Sequence, residues 1–261
     1  MIISAAAWAT SCQKLIIEDA QCGILKVSVE NSPVEVIETK AEGTVSVDDF
    51  SVTIASATNS YSYVYGEMPS SMTLPVGSYN IHAENVTLEE SLTQPDKWGQ
   101  KRYAGDAVGV AVSGDGSVAN ATVRCTMVNS ALSITFDQTV KEHFSGYSLS
   151  VSSNESRRLV FDSSNAWDQA AGTGAVAFFE SSVTISYNFV GIPKAGGDDF
   201  TGTGSFTMKP ATHLHLTIKV REPEDPQSGS MGKPSIEVDE TCDDLYDSIT
   251  VDPSDGSTIT E

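Results

Sequence analysis

His213 and His215 stand two apart in Thr212-His213-Leu214-His215-Leu216. In an extended strand that spacing puts both imidazoles on one face, where two metal ligands would sit. No third ligand follows at a characteristic spacing, and the apolar Leu214, Leu216 and Ile218 claim the opposite face. The histidines are therefore expected on the solvent side, without a metal. Sugar recognition is the second chemistry to weigh, because a pyranose stacks its apolar face on an exposed aromatic ring while polar neighbours take its hydroxyls. Trp98 and Tyr103, set among Asp96, Lys97 and Arg102, are candidates for that role, and Trp167 beside Asp168 is a third. Tyr61, Tyr63 and Tyr65 alternate and so project from one face of an extended segment. The competing assignment for each aromatic is burial at a sheet edge or under a loop. Catalysis has little footing. There is no Gly-x-Ser-x-Gly, His-Glu-x-x-His, P-loop or Gly-x-Gly-x-x-Gly context, and with 35 acids in the chain no carboxylate pair stands out as a glycosidase dyad. Asp252-Pro253-Ser254-Asp255-Gly256 lacks the calcium-loop register. The chain is read as non-enzymatic, with no cofactor.

Four cysteines carry different meanings. Cys12 follows Ala9-Thr10-Ser11 at the end of the small, apolar stretch Met1–Ser11, the arrangement of a bacterial lipobox whose cysteine becomes the lipidated mature N-terminus. Gln13 and Lys14 supply the polar onset expected after the lipid, although a basic n-region is missing upstream. Cys12 is thus the expected lipidation site, and a lipid there holds a protein to the membrane surface without spanning it. Cys22, Cys125 and Cys242 remain, an odd number whose pairing the sequence leaves open. Cys125 alternates with Val123 and Met127 and is expected in a core.

The elements that must position these residues are strands. Apolar residues recur with period two in Leu25/Val27/Val29, Phe50/Val52/Ile54, Tyr79/Ile81/Ala83, Val108/Val110/Val112 and Val123/Cys125/Met127. The pattern continues through Leu132/Ile134/Phe136, Tyr147/Leu149/Val151, Val183/Ile185/Tyr187/Phe189 and Leu214/Leu216/Ile218/Val220. Only Thr139–Phe144 reads as a short helix, with Gly146 as its C-cap. Eleven or so strands exceed one small sandwich. The expected fold is all-β: two β-sandwiches, residues 23–129 and 130–221, after a truncated signal and tether (1–22) and before a Pro/Gly linker and acidic tail (222–261).

Charge adds two exclusions and one feature. Fifteen Lys and Arg against 35 Asp and Glu give a net charge of −20, which argues against nucleic acid, whose binding needs clustered cations. No apolar run of 18 residues encodes a membrane-spanning helix. From Glu222 to Glu261 twelve acids stand against Lys233 alone. Within this tail, Ser235–Val238 and Asp247–Val251 are possible strands, with Ile236, Val238, Ile249 and Val251 as the apolar side chains they would insert elsewhere.

Three words occur in order: Asp48-Asp49-Phe50-Ser51-Val52-Thr53-Ile54, then Leu74-Pro75-Val76-Gly77-Ser78-Tyr79, then Val123-Arg124-Cys125 leading to Asn129. In this ordered set, over roughly Gly23 to Val220, the chain resembles uncharacterised Bacteroidetes surface lipoproteins that are similar in design to fimbrillin-type adhesins. The resemblance implies Greek-key, transthyretin-like sandwiches and a location at the outer membrane and cell surface. It also implies a binding or structural role and no catalytic residues. Fimbrillin-like subunits polymerise when a segment of one fills an open sheet edge of the next, which makes the apolar tail residues candidate donor-strand residues. The alternative, favoured over donation, is that the tail pairs with its own domain or is disordered. The partners implied are other fimbrial subunits, or a host or glycan ligand. The runner-up role is a surface lipoprotein that captures polysaccharide without polymerising.

Overall fold

The computed structural model describes residues 21–31, 45–94, 96–154, 157–221, 235–244, 250–251 and 258–259. Among them the chain is all-β, with two short α-helices and two 3-10 turns. Cys12, Pro95 and Ile249 lie outside the described residues.

The first seven strands are β1 (Cys22–Asn31), β2 (Ser51–Ala55), β3 (Ser60–Val64), β4 (Met72–Pro75), β5 (Gly77–Glu84), β6 (Tyr103–Val112) and β7 (Val118–Met127). They form one sheet in the order β3-β2-β5-β6-β7-β1-β4. Each strand sends alternate residues into a common core, in which Leu25, Phe50, Val52, Ile54, Leu74, Tyr79, Ile81, Val123 and Met127 are almost wholly buried. Tyr79 also satisfies its hydroxyl by donating to the Pro75 carbonyl at 2.8 Å, which pins the Leu-Pro-Val-Gly-Ser-Tyr turn.

The next strands are β8 (Asn129–Phe136), β9 (Phe144–Asn154), β10 (Arg157–Asp162), β11 (Ala177–Glu180), β12 (Thr184–Pro193), β13 (Phe200–Thr207), β14 (Thr212–Arg221) and β15 (Ser235–Asp244). They make two four-stranded sheets, β10-β9-β12-β13 and β11-β8-β14-β15. A second core gathers Leu132, Ile134, Leu149, Val151, Phe161, Phe179, Ile185, Phe189, Leu216 and Ile218. The two-residue strands β16 (Thr250–Val251) and β17 (Thr258–Ile259) pair with each other. Two pairings are parallel, β1 with β7 and β8 with β14, and the rest are antiparallel.

Three local expectations are corrected. The helix α1 (Leu88–Thr93) was not expected, and a complete capping box between Thr87 and Glu90 starts it. The second helix, α2 (Gln138–His143), ends without Gly146 as its cap, because β9 begins directly at Phe144 and takes Gly146 into the sheet opposite Ile192. The Val108/Val110/Val112 face does not hold. Val112 is buried but Val108 is 76% exposed. Here the β5–β6 register shifts, Gly109 adopts φ +72°, and its N–H donates to Asn80 Oδ1 at 3.0 Å. A bulge with glycine in the left-handed region turns the strand and throws Val108 outward.

Candidate functional site

The three expected ligand aromatics do not form a platform. Tyr103 is 5% exposed within the first core, and its N–H donates to Asn85 Oδ1 at 2.7 Å. Trp167 is 7% exposed. Trp98 is half-buried, with its ring edge-on to Phe161 at 5.0 Å, packed on the second core. Its loop, which follows α1, is folded back by positive φ at Asp96 and Lys97. Tyr103 and Trp167 are thus core residues, and Trp98 commits one side of its ring to packing. Tyr61 and Tyr63 share a face of the edge strand β3, whereas Tyr65 falls outside the strand in the 3-10 turn Tyr65–Glu67; all three are half-buried against the first core.

Trp98 belongs instead to a seam that sequence reading missed. Arg157, at the start of β10, is buried and lays its guanidinium over the Phe179 ring at 4.3 Å from its centroid. Its Nε donates to the Lys97 carbonyl and its Nη2 to the Trp98 carbonyl, both at 3.1 Å. The Trp98 carbonyl also accepts from the Phe178 N–H at 2.7 Å. Burial lowers the Arg157 pKa to about 10, so the group stays charged at neutral pH. Phe178 of β11 in turn packs into the first core. A lone arginine in a strand has no sequence signature for such a role.

The histidines are a correction too. His213 is buried, not on the solvent side, while His215 is half-buried. The face of β14 away from Leu214 and Leu216 is covered by Trp167, whose ring lies 5.8 Å from each imidazole. The loop carrying it is tied down by Trp167 N–H donating to the Ile134 carbonyl at 2.7 Å and Thr135 Oγ1 donating to the Trp167 carbonyl at 3.1 Å. The two imidazoles stack at 3.9 Å, and Ser133 Oγ hydrogen-bonds His213 Nε2 at 3.1 Å and His215 Nδ1 at 2.6 Å. Burial first, then the nearby His215 and Lys101, push the His213 pKa down to about 3. The buried Ser133 hydroxyl links the two imidazoles in one polar network. Among the described residues, no group of three His, Cys, Asp or Glu is placed to hold a metal ion. Cys125 is buried as expected, its thiol pKa pushed up to about 11 by burial and by Asp106.

The tail strand has a defined place. β15 runs antiparallel to β14 over ten positions, from Ser235 opposite Arg221 to Asp244 opposite Thr212, and forms the edge of its sheet. That register sets Ile236 opposite Val220 and Val238 opposite Ile218, and both of these partners belong to the second core. Val251 lies in β16, opposite Thr258. No helix among the described residues is long and apolar enough to cross a membrane.

No curated protein matches the sequence at a significant level. Among solved structures, the chain is similar to the tip fimbrial protein Mfa3 from Porphyromonas gingivalis with C-terminal truncation, at 11% identity and a TM-score of 0.43, covering 85% of this chain and 99% of that one. It is similar to the fimbrial anchor protein Mfa2 from the same organism at 11% identity and a TM-score of 0.42, with 85% and 98% covered. A fimbrial assembly protein from Parabacteroides distasonis aligns at 8% identity and a TM-score of 0.39, with 85% and 98% covered. A family model described as a domain of unknown function (DUF4493) matches residues 21–253. The match takes in both cores and the tail strand β15, and the chain belongs to the DUF4493 family.

Proposed function

We propose that the protein is a non-catalytic fimbrial subunit or accessory adhesin of the cell surface, held at the outer membrane through lipid on Cys12. In this reading residues 23–129 and 130–221 are two β-sandwich domains, and β15 is a strand that neighbouring subunits exchange. The observation that carries it is the pairing of β15. A ten-residue strand closes an edge of the second sheet yet is joined to β14 through residues 222–234, a stretch with three prolines. Thirteen residues span up to about 45 Å when extended, enough to reach the same edge of a second molecule. Exchanging an identical element preserves every backbone hydrogen bond and is a low-cost route to assembly. The order of sequence words shared with fimbrillin-type lipoproteins supports the same reading. Burial of Tyr103 and Trp167 and the packing of Trp98 weigh against the glycan-capture alternative.

The test is on cells that make the protein. Outer-membrane extracts run on a denaturing gel without boiling should give a ladder of multiples, collapsing on boiling to one band near 27.7 kDa. Ile236→Asp combined with Val238→Asp should abolish the ladder, because a carboxylate cannot enter an apolar groove without a partner. One band in both lanes overturns the exchange of β15.

A further inference from the structure

We propose that the free edge of β13 is a homodimer interface, in which β13 of two copies pairs antiparallel about a two-fold axis at Gly204. This goes beyond the exchange of β15 and uses a different sheet. A sheet edge exposes unpaired N–H and C=O groups, and proteins blunt such edges with charges, proline, bulges or brevity. The other long or exposed edges here follow that rule. β3 has five residues, and β4 has four and ends in Pro75. β10 carries Arg157, Arg158 and Asp162 with a register shift, β11 has four residues ending in Glu180, and β15 contains five acids. β13 has none of these devices. Its eight residues, Phe-Thr-Gly-Thr-Gly-Ser-Phe-Thr, carry no charge and no proline and pair with β12 without interruption. Among the described residues nothing is paired to its outer side.

The sequence around this edge is complementary to itself. Antiparallel pairing about Gly204 sets Thr203 opposite Ser205, Thr201 opposite Thr207 and Gly202 opposite Phe206 of the second copy. Cross-strand hydroxyl pairs and glycine–aromatic pairs are both favourable neighbours in a sheet. The same register sets Asp199, exposed just before the strand, opposite Lys209, exposed just after it. The two-fold axis makes that ion pair twice. Residues of one parity stay together, so the exposed Thr201, Thr203, Ser205 and Thr207 form one hydroxyl face across the joined sheets. Gly204 is fixed by its own chain, since a Cβ there would collide with the Tyr187 ring and hydroxyl. The occupant this edge fits is therefore a second copy of the chain, whose ends supply the opposite charges.

Sedimentation of the full chain should show mass rising with concentration from 27.7 kDa towards twice that. Thr203→Lys, at an exposed position, should leave the melting curve of the dilute, monomeric chain unchanged and raise the dimer dissociation constant at least tenfold. Lys209→Glu should do the same, and adding Asp199→Lys to it should restore the dimer. Opposed residues in an antiparallel pair sit about 4.5–5.5 Å apart at Cα, within disulfide range. Differently tagged Thr203→Cys and Ser205→Cys chains should therefore cross-link when mixed under oxidation, well above the level of the parent chain. A chain that stays monomeric up to about 1 mM overturns the proposal, as does a dimer that Thr203→Lys leaves intact. A monomer whose outward β13 amides, those not bonded to β12, resist hydrogen exchange also overturns it, pointing to the chain's own tail as the cover.

Discussion

Lowering the pH from 7 to 4 is expected to remove on the order of 3 kcal/mol of folding stability through His213 alone. The folded-state pKa is about 3, whereas an unfolded chain offers the ordinary value near 6.5. Between these values the unfolded state binds the proton and the folded state refuses it. Stability is thus fully present above about pH 6.5 and declines as the pH falls towards 3. The cause is local and visible. Ser133 Oγ has one proton, so it donates to one imidazole and accepts from the other, an arrangement that suits two neutral rings. Charging His213 would bury a cation under Trp167, against His215 and near Lys101. The carboxyls of Asp137 and Asp162, held below the usual range by the hydroxyls and amides of Thr139 and Ser164, add to the loss only at lower pH. Urea titrations at pH 7, 5.5 and 4 should show the decline in the parent chain and a much flatter profile in His213→Gln. A decline of equal slope in the variant would place the acid sensitivity elsewhere.

The same histidine shows why part of the molecule was legible in the sequence and part was not. Period two located nearly every strand, because a half-buried strand must alternate, and it correctly put Cys125, Tyr79 and Ile81 in the core. It also put Leu214 and His213 on opposite faces, but alternation cannot say whether the second face is wet. Here β14 lies between β8 and β15, and a loop from elsewhere in the chain lays Trp167 over its polar side. Burial by a distant loop leaves no periodic trace. Val108 failed for a related reason, since one bulged residue shifts the phase of the strand beyond it. The helix α1 was readable: Thr87-Leu88-Glu89-Glu90 is a capping-box sequence, and the signal was present in the text. The apolar alternation of Ile236 and Val238 was readable in the sequence, while the edge that β15 occupies became visible only with its register against β14.

Replacing Arg157 by alanine is expected to cost about 3 kcal/mol and to uncouple the two cores. Charge-assisted hydrogen bonds contribute about 1.5–3 kcal/mol each, and a desolvated cation over an aromatic face about 2 kcal/mol. Against these stands the penalty of keeping a guanidinium out of water, which shows as its lowered pKa. The two effects separate by substitution. Arg157→Met keeps the buried stem without the charge, so it should cost less than Arg157→Ala if packing carries the seam and nearly as much if the hydrogen bonds to Lys97 and Trp98 do. Arg157→Lys keeps the charge but not the fork that reaches two carbonyls at once, and should resemble Met. Trp98 links to Phe161 on one side and to Phe178 through its carbonyl on the other, so loosening this loop frees contacts in both cores together. Calorimetry should accordingly show one transition for the parent chain and two for Arg157→Ala. A single unshifted transition in that variant would mean that the cores are coupled through the continuous chain at Met127–Asn129 and not through the arginine. The distinction has a mechanical consequence: a seam held by side chains can yield under load while each core stays folded.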